Sequence, residues 1–359
     1  MTDSLVSAKT ILIMAGGTGG HIFPALAVAD QLRDKGWKVV WLGSKAGMES
    51  QLVPQYGFEI VWVRFSGLRG KGLLRALLLP LNLLIAFWQS ARAIFQVRPD
   101  VVLGMGGYIS FPGGMMAVAL ARPLVLHEQN SVAGLANKVL ARMAHRVLVA
   151  FPNALKNAEW TGNPVRCDIA QLPIPAERFR SRSGNLKVLI VGGSLGAQAL
   201  NEAVPRALAL IPASQRPEVT HQAGEKHLAM LEEGYREAGV GATTHAFIRN
   251  MAEAYATADL VICRAGALTV SELAAAGIAS VLVPFPSAVD DHQTFNARYL
   301  SDRSAAILLP QADLTPRRLA DLLLGFTREK LLDMANRARA LGKPDATRVV
   351  ADHCMAAAA

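Results

Sequence analysis

Residues 10–21 read TILIMAGGTGGH and residues 186–197 read LKVLIVGGSLGA. Each is an unbroken apolar run that ends in a cluster of glycines and leads into a helix-compatible stretch. An apolar run without polar alternation suits a strand covered on both faces, as in a parallel sheet. Glycines at the strand-to-helix turn let the backbone approach a neighbour or a ligand, and the helix N-terminus that follows attracts anions. One such opening in each half of the chain predicts two βαβ series, each founding its own domain.

Working outward from the first opening, a helix is expected over 21–35, with Pro24 in its opening turn and Gly36 as C-cap. KVVWL at 38–42, EIVWVR at 59–64, DVVL at 100–103, PLVLH at 123–127 and RVLVA at 146–150 read as further strands. From the second opening, a helix over 197–210 precedes strands at 260–263, 280–284 and 306–309. The fold class expected is α/β, with two Rossmann-like, doubly wound parallel-sheet domains facing a cleft. At ~150 residues per domain, 359 residues suit that count. Between Asn163 and Gly184 the periodicity is interrupted by Pro173, Pro175, Ser181 and Ser183, so the domains are set at 1–165 and 166–344.

Charge divides unevenly between them. Residues 1–165 carry 16 basic and 8 acidic side chains, and residues 166–359 carry 21 and 20. An anionic partner should therefore meet the first half: a nucleic acid, a membrane surface or a phosphorylated substrate. Six basic residues (Arg64, Arg69, Lys71, Arg75, Arg92 and Arg98) fall between 64 and 98 with no acid among them. Inside that stretch lies GLLRALLLPLNLLIAFW at 72–88. It is shorter than the ~20 apolar residues of a spanning helix and is interrupted by Arg75, Pro80 and Asn82. It reads either as a buried helix beside a solvated basic loop or as an interfacial element on an anionic bilayer. The basic residues are interleaved with aliphatics and accompany no nucleic-acid-binding motif, which disfavours nucleic acid.

Other classes are set aside. The first apolar run stops at Gly16, too short for a signal peptide, so no leader is expected. Cys167, Cys263 and Cys354 show no paired spacing and read as ordinary buried thiols. Residues 16–21 do not match G-x-G-x-x-G, the strand at 38–42 ends without an acid, and no G-x-x-x-x-G-K-[ST] occurs. Neither a dinucleotide cofactor nor a P-loop is indicated. No Asp-x-Asp or His/carboxylate cluster suggests a metal, so no cofactor or metal is expected.

What remains are glycine-rich turns at 16–20, 104–113 and 192–196, each either a packing device or a phosphate cradle. A fourth segment, RAGALTVSE at 264–272, follows a strand and opens a helix. Glu272 is placed in the first helical turn, where it either favours its own helix dipole or accepts the two hydroxyls of a ribose.

Taken in order, GGTGGH (16–21), GMGGYISFPG (104–113), HEQN (127–130), GNPVR (162–166), GGSLGA (192–197), RAGALTVSE (264–272) and DHQ (291–293) form a recognisable set. The set resembles the N-acetylglucosaminyltransferases of peptidoglycan synthesis in glycosyltransferase family 28, from residue 11 to about 347. That resemblance implies the glycosyltransferase B architecture. It also implies transfer of N-acetylglucosamine from UDP-N-acetylglucosamine to lipid I, undecaprenyl-pyrophosphoryl-N-acetylmuramoyl-pentapeptide, giving lipid II.

By matching motif positions, it implies donor contacts at Thr18, Gly19, Gly20, Asn130, Arg166, Ser194, Ile248, Ala267, Leu268, Thr269, Val270, Ser271, Glu272 and Gln293. Ile248 would meet the uracil, Glu272 the ribose and Gln293 the sugar. The loop 285–290 varies in length within the family, which bears on the alignment of Gln293.

An inverting displacement needs one base and a stabilised leaving group. His21 is the first candidate base; Glu128 is a weaker one and His127 an alternative. Gly16, Gly17, Gly106, Gly107, Tyr108 and Ser110 are the candidates for the acceptor pyrophosphate. Arg69, Lys71, Arg75, Leu77, Leu78, Leu79 and Trp88 would meet the membrane. The expected site of action is peripheral, at the cytoplasmic face of the plasma membrane, with cell-wall synthesis proteins as further partners. The C-terminal segment 345–359 is expected to be a helix that packs back on the first domain. A diacylglycerol glycosyltransferase, an epimerase or a non-catalytic UDP-sugar-binding protein are the rival readings.

Overall fold

The computed structural model describes residues 8–65, 79–193 and 196–359. It divides into two units, one comprising the chain to Arg166 together with Asp345–Ala359, the other Cys167–Pro344. Each is built on one parallel sheet with helices on both faces.

The first sheet comprises β1 (Thr10–Met14), β2 (Lys38–Gly43), β3 (Glu59–Trp62), β4 (Val101–Gly104), β5 (Leu124–Glu128), β6 (Arg146–Val149) and β7 (Glu159–Trp160). Their spatial order is β3-β2-β1-β4-β5-β6-β7. β1 is central, with Ile11 level with Val39 on one side and Val101 on the other. Alternate residues of β1 enter opposite layers. Ile11 and Ile13 pack with the helices Gly19–Asp34 and Ala346–Ala357; Leu12 and Met14 pack with Leu79–Val97 and Ser110–Ala119. Burying each such side chain contributes about 1.5–3 kcal/mol, which is why both faces must be covered.

The C-terminal helix completes the first layer by burying Val350, Ala351 and Cys354. It is tied down by Lys35 to Asp352 (2.9 Å) and by the Thr347 hydroxyl donating to the Val165 carbonyl (2.8 Å). Arg166, assigned to the second domain from sequence, therefore lies with the first unit: the residue before it is buried there.

The second sheet comprises β8 (Lys187–Val191), β9 (Glu218–Gln222), β10 (Thr243–His245), β11 (Leu260–Cys263), β12 (Ser280–Leu282) and β13 (Ala306–Leu308), in the order β10-β9-β8-β11-β12-β13. β9 and β10 are absent from the sequence reading because EVTHQ and TTH are polar. The structure accommodates this by pairing what it buries. His221 meets the Tyr235 hydroxyl through Nδ1 (2.9 Å) and Asn201 Oδ1 through Nε2 (3.1 Å), and Asn201 Nδ2 donates to the Ala223 carbonyl.

The stretch read from sequence as an interruption is clamped to this unit. Arg178 donates to the carbonyls of Ala276 and Gly277, and Arg182 pairs with the buried Asp259 (2.6 Å). Asp259 also accepts from the Lys187 N–H (2.8 Å) and pairs with Arg328 (3.5 Å), fixing the start of β8. Cys263 and Cys354 are buried, whereas Cys167 is exposed, contrary to the sequence reading. Cys167 opens a one-turn helix at the unit boundary.

Removing a partner from a buried ion pair leaves uncompensated charge and costs about 3–5 kcal/mol. Asp259→Ala is therefore expected to destabilise the second unit by that amount in urea unfolding followed by hydrogen exchange. A loss below about 1 kcal/mol would contradict the clamp.

Candidate active site

In each sheet the strand order reverses between two neighbours, β1 and β4 in the first and β8 and β11 in the second. Connections leaving such a pair go to opposite faces, and the crevice at their carboxyl ends is where open α/β sheets bind ligands. Both pairs of glycine-rich segments singled out from sequence sit at these points.

In the first unit the two turns touch. The Met105 N–H donates to the Met14 carbonyl (2.8 Å), and Gly107, at φ +82°, lies so close to Gly16 that a Cβ would strike the Gly16 carbonyl. Behind them lies Glu49, wholly buried at the start of the helix Glu49–Gln55. Its carboxylate accepts the N–H of Gly17 (3.1 Å) and of Ser44 (3.1 Å). Sequence reasoning found no acid at the end of β2; it comes one short loop later and folds back.

This withdraws two of the six candidates for the acceptor pyrophosphate, Gly17 and Ser110. The Gly17 N–H is already engaged by a carboxylate, and Glu49 sets negative charge behind Gly16, against a second anion. Ser110 is buried, with its hydroxyl against the carbonyls of Met14 (2.9 Å) and Gly106 (2.7 Å), so it closes the turn and does not present to a ligand. Tyr108 is half-buried, and burial followed by the charge of Glu49 pushes its hydroxyl pKa up. The N-terminus of the helix Gly19–Asp34 stays open. Its first N–H groups have no intrahelical acceptor, and Thr18 caps none of them with its side chain.

His21 stands in that first turn, half-buried, with Nδ1 2.8 Å from Gln129 Oε1. Gln129 Nε2 in turn lies 3.1 Å from His127 Nδ1, and His127 Nε2 lies 2.9 Å from the Gly162 carbonyl oxygen. Burial lowers the His127 pKa to about 4, so its ring is neutral near pH 7. Glu128 is also buried, and its carboxylate accepts from the N–H of Asn130 (2.9 Å), the side chain of Asn137 (2.8 Å) and the N–H of Gly134 (3.3 Å). Glu128 thus braces the loop that carries Asn130, and neither it nor the buried His127 is presented as a base.

In the second unit the helices Gln198–Ala209 and Ala267–Ala276 begin after β8 and β11, and neither is capped by a side chain. Gly266 occupies the cap position of the latter, leaving its N-terminus open to an anion. Because that helix starts at Ala267, Glu272 lies in the second turn, not the first; it is largely buried and accepts the Tyr255 hydroxyl (3.1 Å). Val270 is withdrawn from the candidate contacts: its side chain is in the core and its N–H donates to the Gly266 carbonyl (2.9 Å). Leu268, Thr269 and Ser271 remain half-exposed on the helix.

Gln293 turns its Oε1 to the Phe285 N–H (2.9 Å), fastening the loop after β12. Arg264 donates to the carbonyls of Val283 and Pro284 (both 3.2 Å) and to Gln311 Oε1 (2.6 Å), bracing the same loop. Ile248 is half-buried in the segment after β10. Ser194 lies outside the described residues, as do Arg69, Lys71, Arg75, Leu77 and Leu78.

Comparison with known proteins agrees with this architecture. Residues 11–149 match the model of the glycosyltransferase family 28 N-terminal domain, and residues 187–350 match that of its C-terminal domain. The chain belongs to glycosyltransferase family 28. Among relatives of this family-28 chain, a protein of Dechloromonas aromatica is 63% identical over 347 residues, covering 97% of this chain and 98% of that protein. A protein of Ralstonia nicotianae is 64% identical over 354 residues, covering 98% and 97%. Both are named UDP-N-acetylglucosamine–N-acetylmuramyl-(pentapeptide) pyrophosphoryl-undecaprenol N-acetylglucosamine transferase.

The crystal structure of Acinetobacter baumannii MurG superposes with a TM-score of 0.84 at 40% identity, covering 97% of this chain and 99% of that one. At 18% identity the glycosyltransferase SnogD of Streptomyces nogalater shares the fold, with a TM-score of 0.63 over 98% and 100% of the two chains. The family-28 chain thus has a glycosyltransferase B-like fold of two parallel-sheet α/β domains.

The two buried histidines carry a pH signature. His127 and His221 titrate near 4 and 3 in the folded chain, both lowered by burial from an ordinary 6.5. The unfolded state takes up these protons first, so their contribution is complete above pH 6.5 and is lost as pH falls toward the folded values. Each histidine contributes a slope of up to ~1.4 kcal/mol per pH unit. In denaturant unfolding, stability is expected to drop between pH 6.5 and 4.5, and less steeply in His221→Gln. Equal slopes would contradict the assignment.

Proposed function

We propose that this chain transfers N-acetylglucosamine from UDP-N-acetylglucosamine to the C4 hydroxyl of the muramoyl sugar in undecaprenyl-pyrophosphoryl-N-acetylmuramoyl-pentapeptide. The observation that carries this reading is near-full-length identity above 60% to enzymes named for that transfer. The uncapped helix N-termini at the strand-order reversals supply the anion-binding groups the reaction needs.

In this reading a base takes the proton of the acceptor hydroxyl as its oxygen bonds to the anomeric carbon. The bond from that carbon to the β-phosphate breaks in the same displacement, and UDP leaves with inverted configuration at the sugar. Charge growing on the β-phosphate is stabilised by the N–H groups and dipoles at the starts of Gln198–Ala209 and Ala267–Ala276. Glu272, held by Tyr255, accepts the ribose hydroxyls; Gln293 orients the sugar; the backbone at Ile248 meets the uracil. His21 is the base, since an imidazole is matched to proton transfer near neutral pH. The open helix start at Gly19 and Gly20 is an anion-binding group of the first unit, and Arg166 is a further donor contact in this reading.

A mass measurement after incubation with UDP-N-acetylglucosamine and a lipid I analogue tests the reading. One added N-acetylglucosamine per acceptor, with release of UDP, is expected. Transfer to diacylglycerol instead, or binding without transfer, would favour the rival functions.

We also propose that the first unit docks on an anionic membrane surface. The helix Leu79–Val97 exposes Leu81, Leu84, Ile85, Trp88 (61% exposed) and Phe95 while burying Ala86, Ser90, Ala93 and Ile94. Arg92 lies over the Trp88 ring at 5.8 Å, placing a cation beside the apolar face. Among the described residues no helix is long and apolar enough to cross a membrane. An apolar face with flanking cations suits peripheral attachment, and a lipid-linked acceptor places that attachment at the cytoplasmic face of the plasma membrane. Leu84→Gln with Trp88→Gln is expected to weaken sedimentation with phosphatidylglycerol vesicles by roughly tenfold or more, leaving UDP-N-acetylglucosamine affinity unchanged. Undiminished vesicle binding would contradict the docking face.

A further inference from the structure

The pairing around His21 goes further than bringing an imidazole to the helix start. We infer that Gln129, backed by His127 and the Gly162 carbonyl, is a positioning residue that holds the proton of neutral His21 on Nδ1 and leaves Nε2 bare. The inference rests on the reading of His21 as the base and deepens it, because it says which ring nitrogen accepts the proton and what fixes that choice.

The chain of donors and acceptors has one solution. A carbonyl oxygen can only accept, so the contact between His127 Nε2 and the Gly162 oxygen (2.9 Å) requires the His127 proton on Nε2. The ring is neutral, so Nδ1 of His127 offers a lone pair, and Gln129 Nε2 donates to it across 3.1 Å. A second anchor points the same way. Gln129 Nε2 lies 3.1 Å from the His127 backbone carbonyl and 3.9 Å from Met105 Sδ, neither of which can donate to it. The amide nitrogen therefore faces the His127 side and the amide oxygen faces His21. That oxygen has no hydrogen to give, so the 2.8 Å contact with His21 Nδ1 requires the His21 proton there.

Two features keep this arrangement rigid. Gln129 is 1% exposed and His127 is fully buried, so water cannot readily replace either partner. Gly106, at φ +91°, lies against the contact itself: a Cβ there would come within 2.7 Å of His21 Nδ1 and 3.2 Å of Gln129 Oε1. The glycine-rich turn after β4 thus preserves the His21–Gln129 bond, a function its sequence reading as a phosphate cradle did not include. His127 and Gln129 act through His21 and need not touch substrate.

The test uses the full chain with nitrogen-15-labelled histidine. His21 is assigned by comparison with His21→Gln and observed at a pH where it is neutral. The expected spectrum shows His21 with Nδ1 protonated and Nε2 bare; a proton on Nε2 would overturn the inference. Gln129→Met removes the oxygen and releases the ring to the Nε2–H form. It is expected to lower kcat at least ~10-fold, with KM for UDP-N-acetylglucosamine within about twofold, set against the ~10²–10⁴ a general base contributes.

Gln129→Glu, as the neutral acid, keeps one oxygen on His21 Nδ1 and can give its hydroxyl hydrogen to His127 Nδ1, and it is expected to restore the Nδ1–H form and most of the lost kcat. A merely structural role reverses that order, because burying a carboxylate costs more than burying a thioether. Unchanged kcat in Gln129→Met, or Gln129→Glu no better than Gln129→Met, would also overturn it. If the methionine variant fails to fold, the wild-type spectrum still decides. Near-normal turnover in His21→Ala alongside an Nδ1–H wild-type ring would remove the base assignment and leave the relay standing.

Discussion

In both units the sheet reverses its strand order between two adjacent parallel strands, β1 and β4 in one and β8 and β11 in the other. Parallel strands are joined by helices, so at the reversal two helices begin beside each other with their first N–H groups unpaired. Everything assigned to chemistry depends on that constraint. It brings the turns containing Gly16 and Gly107 into contact, sets His21 at a helix start, and leaves the starts of Gln198–Ala209 and Ala267–Ala276 uncapped. Two anionic groups, a donor diphosphate and an acceptor pyrophosphate, can then be met largely by backbone. This fits a second half whose net charge is only +1.

The charge of the first half is distributed differently. Six of its basic residues fall in the sequence between 64 and 98, and within that stretch the helix Leu79–Val97 exposes leucines and Trp88 as an apolar face beside Arg92. The first sheet does not need this face, because Ala86, Ala93 and Ile94 on the opposite side already cover Leu12 and Met14. An apolar surface left over from core packing and accompanied by cations is suited to a lipid boundary.

The framework was legible in the sequence where hydrophobicity alone decides it. Every run read as a strand, from 10–15 to 306–309, became one within a residue or two, and the central strands, buried on both faces, tolerate little but apolar residues. β9 escaped because His221 and Gln222 are polar, and their burial depends on partners elsewhere in the chain: Asn201 and Tyr235 for His221, the Gly193 carbonyl for Gln222. The site was legible as a set of segments but not as a set of roles. Glu49, Ser110 and Glu128 look chemically available in a sequence, and only tertiary hydrogen bonds show that their oxygens already serve Gly17, Met14 and Asn130. The helix register likewise moved Glu272 from the first turn to the second and sent Val270 into the core. Gln129 drew no separate notice, as an amide between two histidines has meaning only once both rings are placed.

The central claim is a single displacement at the anomeric carbon, with one base and backbone stabilisation of the departing UDP. The anomeric configuration of the product made from UDP-N-acetylglucosamine and a lipid I analogue, read by proton NMR, tests it most directly. One displacement turns the α-linked donor into a β-linked product. An α-linked product would require either two displacements or front-face attack, and would contradict the account.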